Sequence, residues 1–188
     1  MFNDQILNNL IEKYPAPLFS DRSKFLFEDL IDTIISQQLS NKAASTILNR
    51  FKNLFGNTFP APSDVLITDD KDLRNVGISY PKIKYIKNVA QAFIDKEVVV
   101  EEIVKADDEE VIKILTKIKG IGRWSAEMIL IFTLNRSDVF SFGDLGIKNA
   151  IKNLYNITDM KDITKLSEKW RPNRSIACWY LWRSLENN

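Results

Sequence analysis

The sequence predicts an all-α protein, and three features of its 188 residues support that prediction. Apolar residues recur at three- and four-residue spacing along most of the chain, with almost no alternation of period two. Prolines and glycines fall mostly between these periodic segments, where they end helices. Serine, asparagine or aspartate precedes several segments, as helix N-caps do. With 45% hydrophobic residues, the chain can bury a core as one globular body or as two small lobes.

The first predicted helix covers residues 2–14, with Asn3 or Asp4 as its cap and Pro15 as its stop. Later helices are predicted by the same spacing, and each is bounded by a cap, a proline or a glycine. One of them begins within residues 59–64. The others cover residues 69–75, 81–94, 109–118, 123–134, 144 to about 154, and 170–184.

Two further helices, residues 25–37 and 41–55, form a corner at Gln38-Leu39-Ser40. Ser40 is a plausible N-cap for the second of them, and Gly56 a plausible C-cap. From the residues alone, Gln38 and Leu39 simply turn this corner, with Leu39 in the core.

Two stretches carry a weaker pattern. Residues 97–100 have strand propensity but no partner segment, so we interpret them as a linker, and Asp107 or Asp108 caps the helix that follows. Lys82, Lys84 and Lys87 form either a basic strip or, as is more common for such a run, a solvated helix face.

A glycine turn joins the helix that ends near Ile118 to the helix that begins near Arg123. Gly120 and Gly122 permit positive φ and leave the backbone bare, so that successive amides can approach an anion closely. The following helix directs its positive dipole end at the same place, and a phosphate is the expected ligand. The alternative is a C-cap glycine followed by a short connection.

Asp144 lies at the start of the helix that runs to about residue 154. An aspartate in that place is an ordinary N-cap, which stabilises a helix by about 1 kcal/mol. A cap can also carry a chemical function, so the two interpretations of Asp144 are compatible. Asp138, at the end of the preceding polar loop, is interpreted as structural.

LxxIKGIGRWSAEM, followed after a polar gap by DVFSFGDLGIKNAI, resembles the hairpin and catalytic loop of the helix-hairpin-helix (HhH-GPD) DNA glycosylases. The resemblance covers nearly the whole chain and is strongest to the 3-methyladenine DNA glycosylase II branch. It implies two helical lobes with an active-site cleft between them. It also implies a minimal version without the N-terminal β domain of many bacterial relatives. One lobe would cover about residues 25–105, and the hairpin and catalytic lobe about 106–188 together with residues 1–24.

The resemblance implies a role for each motif. Asp144 would be the catalytic carboxylate, and Gly143 stands where relatives often have a second acidic residue. IISQQLSNKAA would carry the wedge that fills the gap left by a flipped base, with Gln38 favoured by comparison and Leu39 by its apolar side chain. The DNA-binding hairpin would consist of Gly120, Ile121, Gly122 and Arg123, and the carbonyls of Thr116, Ile118 and Gly120 would hold a structural sodium or potassium ion.

The base pocket would be lined by Trp124, Met128 and Trp182. Trp124 stands where the lyase branch has its Schiff-base lysine, which favours simple hydrolysis without strand cleavage. Aromatic walls suit a cationic alkylated purine. Some relatives have tyrosine in the place of Met128.

The scarcity of cysteine and the absence of histidine exclude several other catalytic mechanisms and metal sites. Cys178 is the only cysteine, so an internal disulfide and a four-cysteine iron–sulfur cluster are excluded. The chain has no histidine, which removes Ser-His-Asp mechanisms and imidazole metal sites. No cofactor is expected for catalysis. A net charge of +1 leaves nucleic acid binding open.

The expected protein is a monomeric, monofunctional glycosylase that acts on damaged bases in double-stranded DNA. No apolar run approaches the roughly 20 residues of a membrane span, so we expect an intracellular protein, cytoplasmic in a bacterium or nuclear in a eukaryote. A glycosylase for another damaged or mismatched base and a non-catalytic DNA-binding module remain as alternatives.

Overall fold

The computed structural model describes residues 2–186, and over that range it contains helices and no strand, which confirms the all-α prediction. None of the described helices is long and apolar enough to cross a membrane. A 3-10 turn, Ser23–Phe25, precedes α2, and a π-helical turn, Ile129–Thr133, continues α9. The α-helices are α1 Gln5–Lys13, α2 Leu26–Ser36, α3 Asn41–Leu54, α4 Pro62–Ile67, α5 Asp70–Asn75, α6 Tyr80–Ile94, α7 Val100–Lys105, α8 Asp108–Thr116, α9 Arg123–Met128, α10 Leu145–Tyr155, α11 Met160–Glu168 and α12 Arg174–Arg183.

The caps that were predicted from the sequence explain several helix starts. Asp4, Ser40, Asp107 and Asp144 each accept a hydrogen bond from a backbone amide in the first turn of the helix that follows. Two helices, α7 and α11, were not predicted from the sequence; they have six and nine residues.

The chain folds into two compact units. The central unit is Arg22–Ile129, and the terminal unit combines Met1–Asp21 with Leu130–Asn188. This division differs from the boundary expected near residues 105 and 106, because α8, the glycine turn and α9 belong to the central unit. There α9 packs against α2, a contact between residues more than 80 positions apart that helix periodicity does not reveal.

Helix α6 is the scaffold of the central unit, and α2, α4 and α5 pack against it. Its inward face buries Ile83, Ile86 and Val89 almost completely. Leu30 and Ile34 of α2 are equally buried, so the apolar stripe of each helix lies against its neighbours.

The terminal unit is built around α10 and α12, with α1 packed on α12. Its core contains the largest fully buried side chain, Trp170, together with residues of all three helices such as Leu7, Ile151 and Leu181. The N-terminal segment is therefore part of the core of the C-terminal helices.

Asp4 links the two ends of the chain within this unit. Its carboxylate caps α1 by accepting from Leu7 N at 3.0 Å, and it also accepts from Trp170 Nε1 at 2.9 Å and from the hydroxyl of Tyr155 at 3.0 Å. Burial, and then the charge of Asp4, raise the pKa of Tyr155, so this phenol stays a hydrogen-bond donor. One carboxylate thus satisfies three donors from three segments.

Asp4→Ala is expected to lower the free energy of unfolding by about 2–4 kcal/mol, because it removes a cap and leaves the donors of Trp170 and Tyr155 without this acceptor. Urea denaturation measures the change. Asp159→Ala is the matched control: Asp159 is an exposed N-cap of α11 in the same unit, and its loss should cost about 1 kcal/mol. Equal losses in the two variants would contradict the linking role of Asp4.

Candidate functional site

The glycine turn of the central unit has the predicted helix-turn-helix geometry. Helix α8 ends at Thr116, Gly120 has φ +115°, and Gly122 is the N-cap of α9. Ile121 between the glycines is buried, and its amide donates to Ile118 O at 3.0 Å. The buried isoleucine anchors the turn, and one glycine lies on either side of it.

The two glycines are there for different reasons. A Cβ on Gly120 would lie 2.3 Å from Cγ of Tyr85, and the φ of this residue is in the left-handed region. The fold itself therefore requires Gly120. A Cβ on Gly122 would meet nothing within 4 Å, and its φ of −95° suits any residue. Gly122 thus keeps the space in front of the turn empty without being needed for packing.

The guanidinium of Arg123 is paired with two carboxylates, although its side chain is largely exposed. It pairs with the carboxylate of Glu109, Nη1 to Oε2 at 3.2 Å, and with that of the buried Glu127, Nε to Oε1 at 3.0 Å. The hydrogen bond that Arg123 donates to Glu109 is the largest cause of the raised pKa of Arg123, and the same interaction lowers the pKa of Glu109. These two carboxylates orient the side chain of Arg123, and its backbone amide lies in the first turn of α9.

The three carbonyls predicted to hold an ion lie in this turn. Ile118 O accepts from Ile121 N, and Gly120 O accepts a long bond of 3.4 Å from Nε2 of Gln37. Because each carbonyl oxygen has two lone pairs, these bonds leave capacity for a cation, and backbone oxygen suits a hard ion. Among residues 2–186 no group of three or more His, Cys, Asp or Glu side chains could hold a metal.

The corner between α2 and α3 lies beside the glycine turn in the central unit. Gln38 adopts φ +58°, and Leu39 is 39% exposed. The amide of Gln37 reaches Gly120 O and, at 3.3 Å, Ser125 Oγ. The corner borders a cavity of about 220 Å³ whose other walls come from α3, α6 and the loop before α6. The half-exposed Leu39 differs from the core position suggested by helix spacing.

Lys82 fixes the same corner from the side of α6. Its Nζ donates to Ile35 O at 2.8 Å and to Gln37 O at 2.6 Å. Lys87, one turn further along, donates to Thr68 O at 2.8 Å and pairs with Asp70. These lysines therefore cap the ends of other helices and form neither a basic strip nor a merely solvated face. Sequence reasoning missed the roles of Gln37 and Lys82, since their partners are distant in the chain.

Asp144 is the buried carboxylate of the terminal unit, 8% exposed. Its Oδ1 accepts from Ile147 N at 2.7 Å, as the predicted N-cap of α10, and from Trp182 Nε1 at 3.0 Å. A Cβ on Gly146 would lie 3.0 Å from this oxygen and 3.2 Å from Cδ1 of Trp182. The glycine thus permits the indole and the carboxylate to meet, and two donors fix the orientation of the carboxylate.

Aromatic rings pack on the Trp182 side of the Asp144–Trp182 pair. Phe132, on the π-helical turn, lies with its ring centroid 5.7 Å from that of Trp182, and Phe19 contacts both Phe132 and Trp179 edge to face. Sequence reasoning identified Trp182 but missed Phe19 and Phe132. Phe132 carries no local signal, because a π-turn inside an apolar helix looks like any buried helix in sequence, and Phe19 lies outside every helix.

The other predicted pocket residues, Trp124 and Met128, lie one turn apart on α9 in the central unit. Trp124 is 39% exposed, whereas Met128 is buried. Asp138 is held by two guanidinium groups, Arg171 Nη1 at 2.6 Å and Arg174 Nε at 2.8 Å, which agrees with its interpretation as structural.

Comparison with known proteins identifies the family to which this chain is similar. Residues 31–172 match the family model described as HhH-GPD superfamily base excision DNA repair protein. DNA-3-methyladenine glycosylase 1 of Schizosaccharomyces pombe is 41% identical over 183 residues, which cover 95% of this chain and 80% of that protein.

Solved structures agree. The Schizosaccharomyces pombe 3-methyladenine DNA glycosylase in complex with abasic DNA is similar with a TM-score of 0.89 at 38% identity, over 98% of this chain and 93% of that one. The DNA-3-methyladenine glycosidase of Bacillus halodurans is similar with a TM-score of 0.81 at 35% identity, over 98% and 86% of the two chains. The chain belongs to the HhH-GPD superfamily of base excision DNA repair proteins, in the branch of the 3-methyladenine DNA glycosylases.

Proposed function

We propose that the protein is a monofunctional DNA glycosylase of base excision repair. It hydrolyses the N-glycosidic bond of alkylated purines of the 3-methyladenine type and leaves an abasic site. The observation that carries the proposal is the buried carboxylate of Asp144, held by the indole N–H of Trp182 in a chain of this family. The named relatives, which are DNA-3-methyladenine glycosylases, support the lesion class.

The chemistry needs one fixed anion. As the bond between C1′ and the base nitrogen breaks, its electron pair leaves with the base and positive charge develops on the sugar. Asp144 stabilises that oxocarbenium-like charge and accepts a proton from the water that attacks C1′. The donors from Ile147 and Trp182 orient the carboxylate before the reaction, so little reorganisation is needed.

An alkylated purine is already a cation and leaves as a neutral base, so it requires little acid assistance. Aromatic faces favour such a cation in a pocket. Trp182, backed by Phe132, offers one face in the terminal unit. Trp124 and Met128 are the proposed pocket residues from α9.

The central unit would bind the DNA. We propose that the hairpin of Gly120, Ile121, Gly122 and Arg123 binds a phosphate through backbone amides other than that of Ile121, which donates to Ile118 O, while the carbonyls of Thr116, Ile118 and Gly120 hold a sodium or potassium ion that bridges to it. Gln38 or Leu39 would fill the gap left by the flipped base. A relative solved in complex with abasic DNA supports double-stranded DNA as the partner.

We propose further that the protein acts as a monomer, in a bacterial cytoplasm or a eukaryotic nucleus, because that is where its DNA substrate lies. No cofactor takes part in the proposed reaction.

Asp144→Asn is expected to lower the single-turnover rate of base release at least about hundredfold, since it removes the anion. The fold should persist, because an asparagine oxygen can still cap α10 and accept from Trp182. Binding to a duplex with an abasic-site analogue should stay near normal. A panel of single-lesion duplexes, alkylated, deaminated and mismatched, tests the variant and the wild type together.

Asp159→Asn is the matched control, an N-cap of the same unit remote from the site, and should release bases at the wild-type rate. Release of only deaminated or mismatched bases by the wild type would identify a glycosylase for another lesion. Binding without any release would identify a DNA-binding module. Loss of folding in Asp144→Asn would make the residue mainly a cap.

No covalent adduct with DNA is expected when borohydride is added during turnover, because Trp124 stands where a lyase has its lysine. Gel electrophoresis of the trapped reaction measures the adduct, and the same gel shows whether the strand is cut. A lysine-dependent lyase of the superfamily serves as positive control. A trapped band from this protein would contradict the monofunctional mechanism.

Gly122→Ala should weaken binding to all duplexes by about tenfold irrespective of sequence, because an added methyl group enters the space in front of the phosphate-binding amides. Its unfolding free energy should fall by no more than about 1 kcal/mol. Gly120→Ala should instead lose about 2–5 kcal/mol through its positive φ and its overlap with Tyr85. Sequence-dependent effects of Gly122→Ala would argue against phosphate contact.

A further inference from the structure

The corner that carries the proposed wedge is not held by its own packing. Gln38 has a left-handed backbone, which is strained for a non-glycine residue and persists only when neighbouring groups impose it. Leu39 is partly exposed, and the corner adjoins a cavity of about 220 Å³ into which it could relax. The side-chain amide of Gln37 holds one side of the corner through Gly120 O and Ser125 Oγ, and a second constraint acts at the end of α2.

Lys82 supplies that constraint. The last carbonyls of a helix lack backbone partners, and at the end of α2 the ammonium of Lys82 binds two of them, Ile35 O at 2.8 Å and Gln37 O at 2.6 Å. These carbonyls flank the turn of the chain immediately before Gln38. A cation at a helix C-terminus also interacts favourably with the dipole of that helix.

Lys82 is partly buried. Desolvation lowers the pKa of Lys82, so its charged form is retained against a penalty. Lys84, two residues away on the same helix, is exposed. The two short bonds to α2 carbonyls are what offset the penalty at Lys82.

We propose that Lys82 is a positioning residue for the DNA wedge, holding the Gln38–Leu39 corner through the carbonyls of Ile35 and Gln37. The inference rests on the proposed glycosylase function. Lys82 itself touches neither the lesion nor the reacting atoms in this proposal. Its effect is on the step in which the damaged base leaves the stack and the wedge delays its return.

The test compares two lysines of α6. Lys82→Met keeps the hydrocarbon stem and removes the ammonium. Lys87→Met does the same to a lysine with the same kind of contact, a carbonyl at the end of α4, away from the corner. Both variants are assayed under single turnover on a duplex in which the alkylated purine is paired and on one in which the same purine is unpaired in a bulge.

Lys82→Met should release the paired base about tenfold more slowly than the wild type and the bulged base within about twofold, because an unpaired base costs less to extrude. Lys87→Met should match the wild type on both substrates. Lys82→Arg, which retains a cation with several donors, should recover most of the lost rate. Adding Leu39→Ala or Gln38→Ala to Lys82→Met should cost less than it does in the wild type, as expected for residues that act together.

Equal losses on paired and bulged substrates, or equal effects of Lys82→Met and Lys87→Met, would overturn the proposal. If Lys82→Met is unfolded at the assay temperature, Lys82→Gln takes its place and the same comparison decides. Absence of base release by the wild type on either substrate would refute the glycosylase function instead, so the two failures are distinguishable.

Discussion

The hydrogen bond between the indole of Trp182 and Asp144 is the interaction on which the proposed chemistry depends. It joins α12 to the first turn of α10. The carboxylate accepts this bond in the orientation in which it also caps α10. An N-cap is a rigid place for an anion, because its other donor is a backbone amide that cannot rotate away. Gly146 completes the arrangement, since any side chain there would press on both partners. Helix capping and the proposed electrostatic stabilisation of a cationic sugar therefore use the same carboxylate.

The central unit follows a related rule, in which side chains satisfy carbonyls at the ends of other helices. Helix α6 contributes three such donors: Lys82 to the end of α2, Lys87 to the end of α4, and Asn88 to Lys119 O in the glycine turn. Gln37 adds a bond from the corner to Gly120 O. The corner and the turn, which would contact the DNA, are thus both fixed by one long helix that carries no proposed DNA contact itself.

Local features were predictable from the sequence, and contacts between distant segments were not. The caps Asp4, Ser40 and Asp144 follow from short-range patterns, because a cap and its amide are three residues apart. The meeting of Asp144 with Trp182 spans 38 residues and was reachable only through the family resemblance. Lys82 looked like one of several lysines on a helix, and the partners of its ammonium lie more than 40 residues earlier. The pairing of Arg123 with Glu109 spans 14 residues and was likewise not predicted, whereas Glu127 lies one helical turn away.

The composition of the site fits a reaction in which the substrate supplies part of the driving force. A neutral purine would need a proton on the base before it could leave, whereas Asp144, oriented by the indole of Trp182 and the amide of Ile147, supplies a negative charge. A base that is already alkylated needs only stabilisation of the sugar and a surface for its charge. Discrimination then depends on which bases leave the stack easily and which glycosidic bonds are already weak. That explains how a chain without histidine, acting through one proposed carboxylate, can select damaged purines and leave normal ones intact.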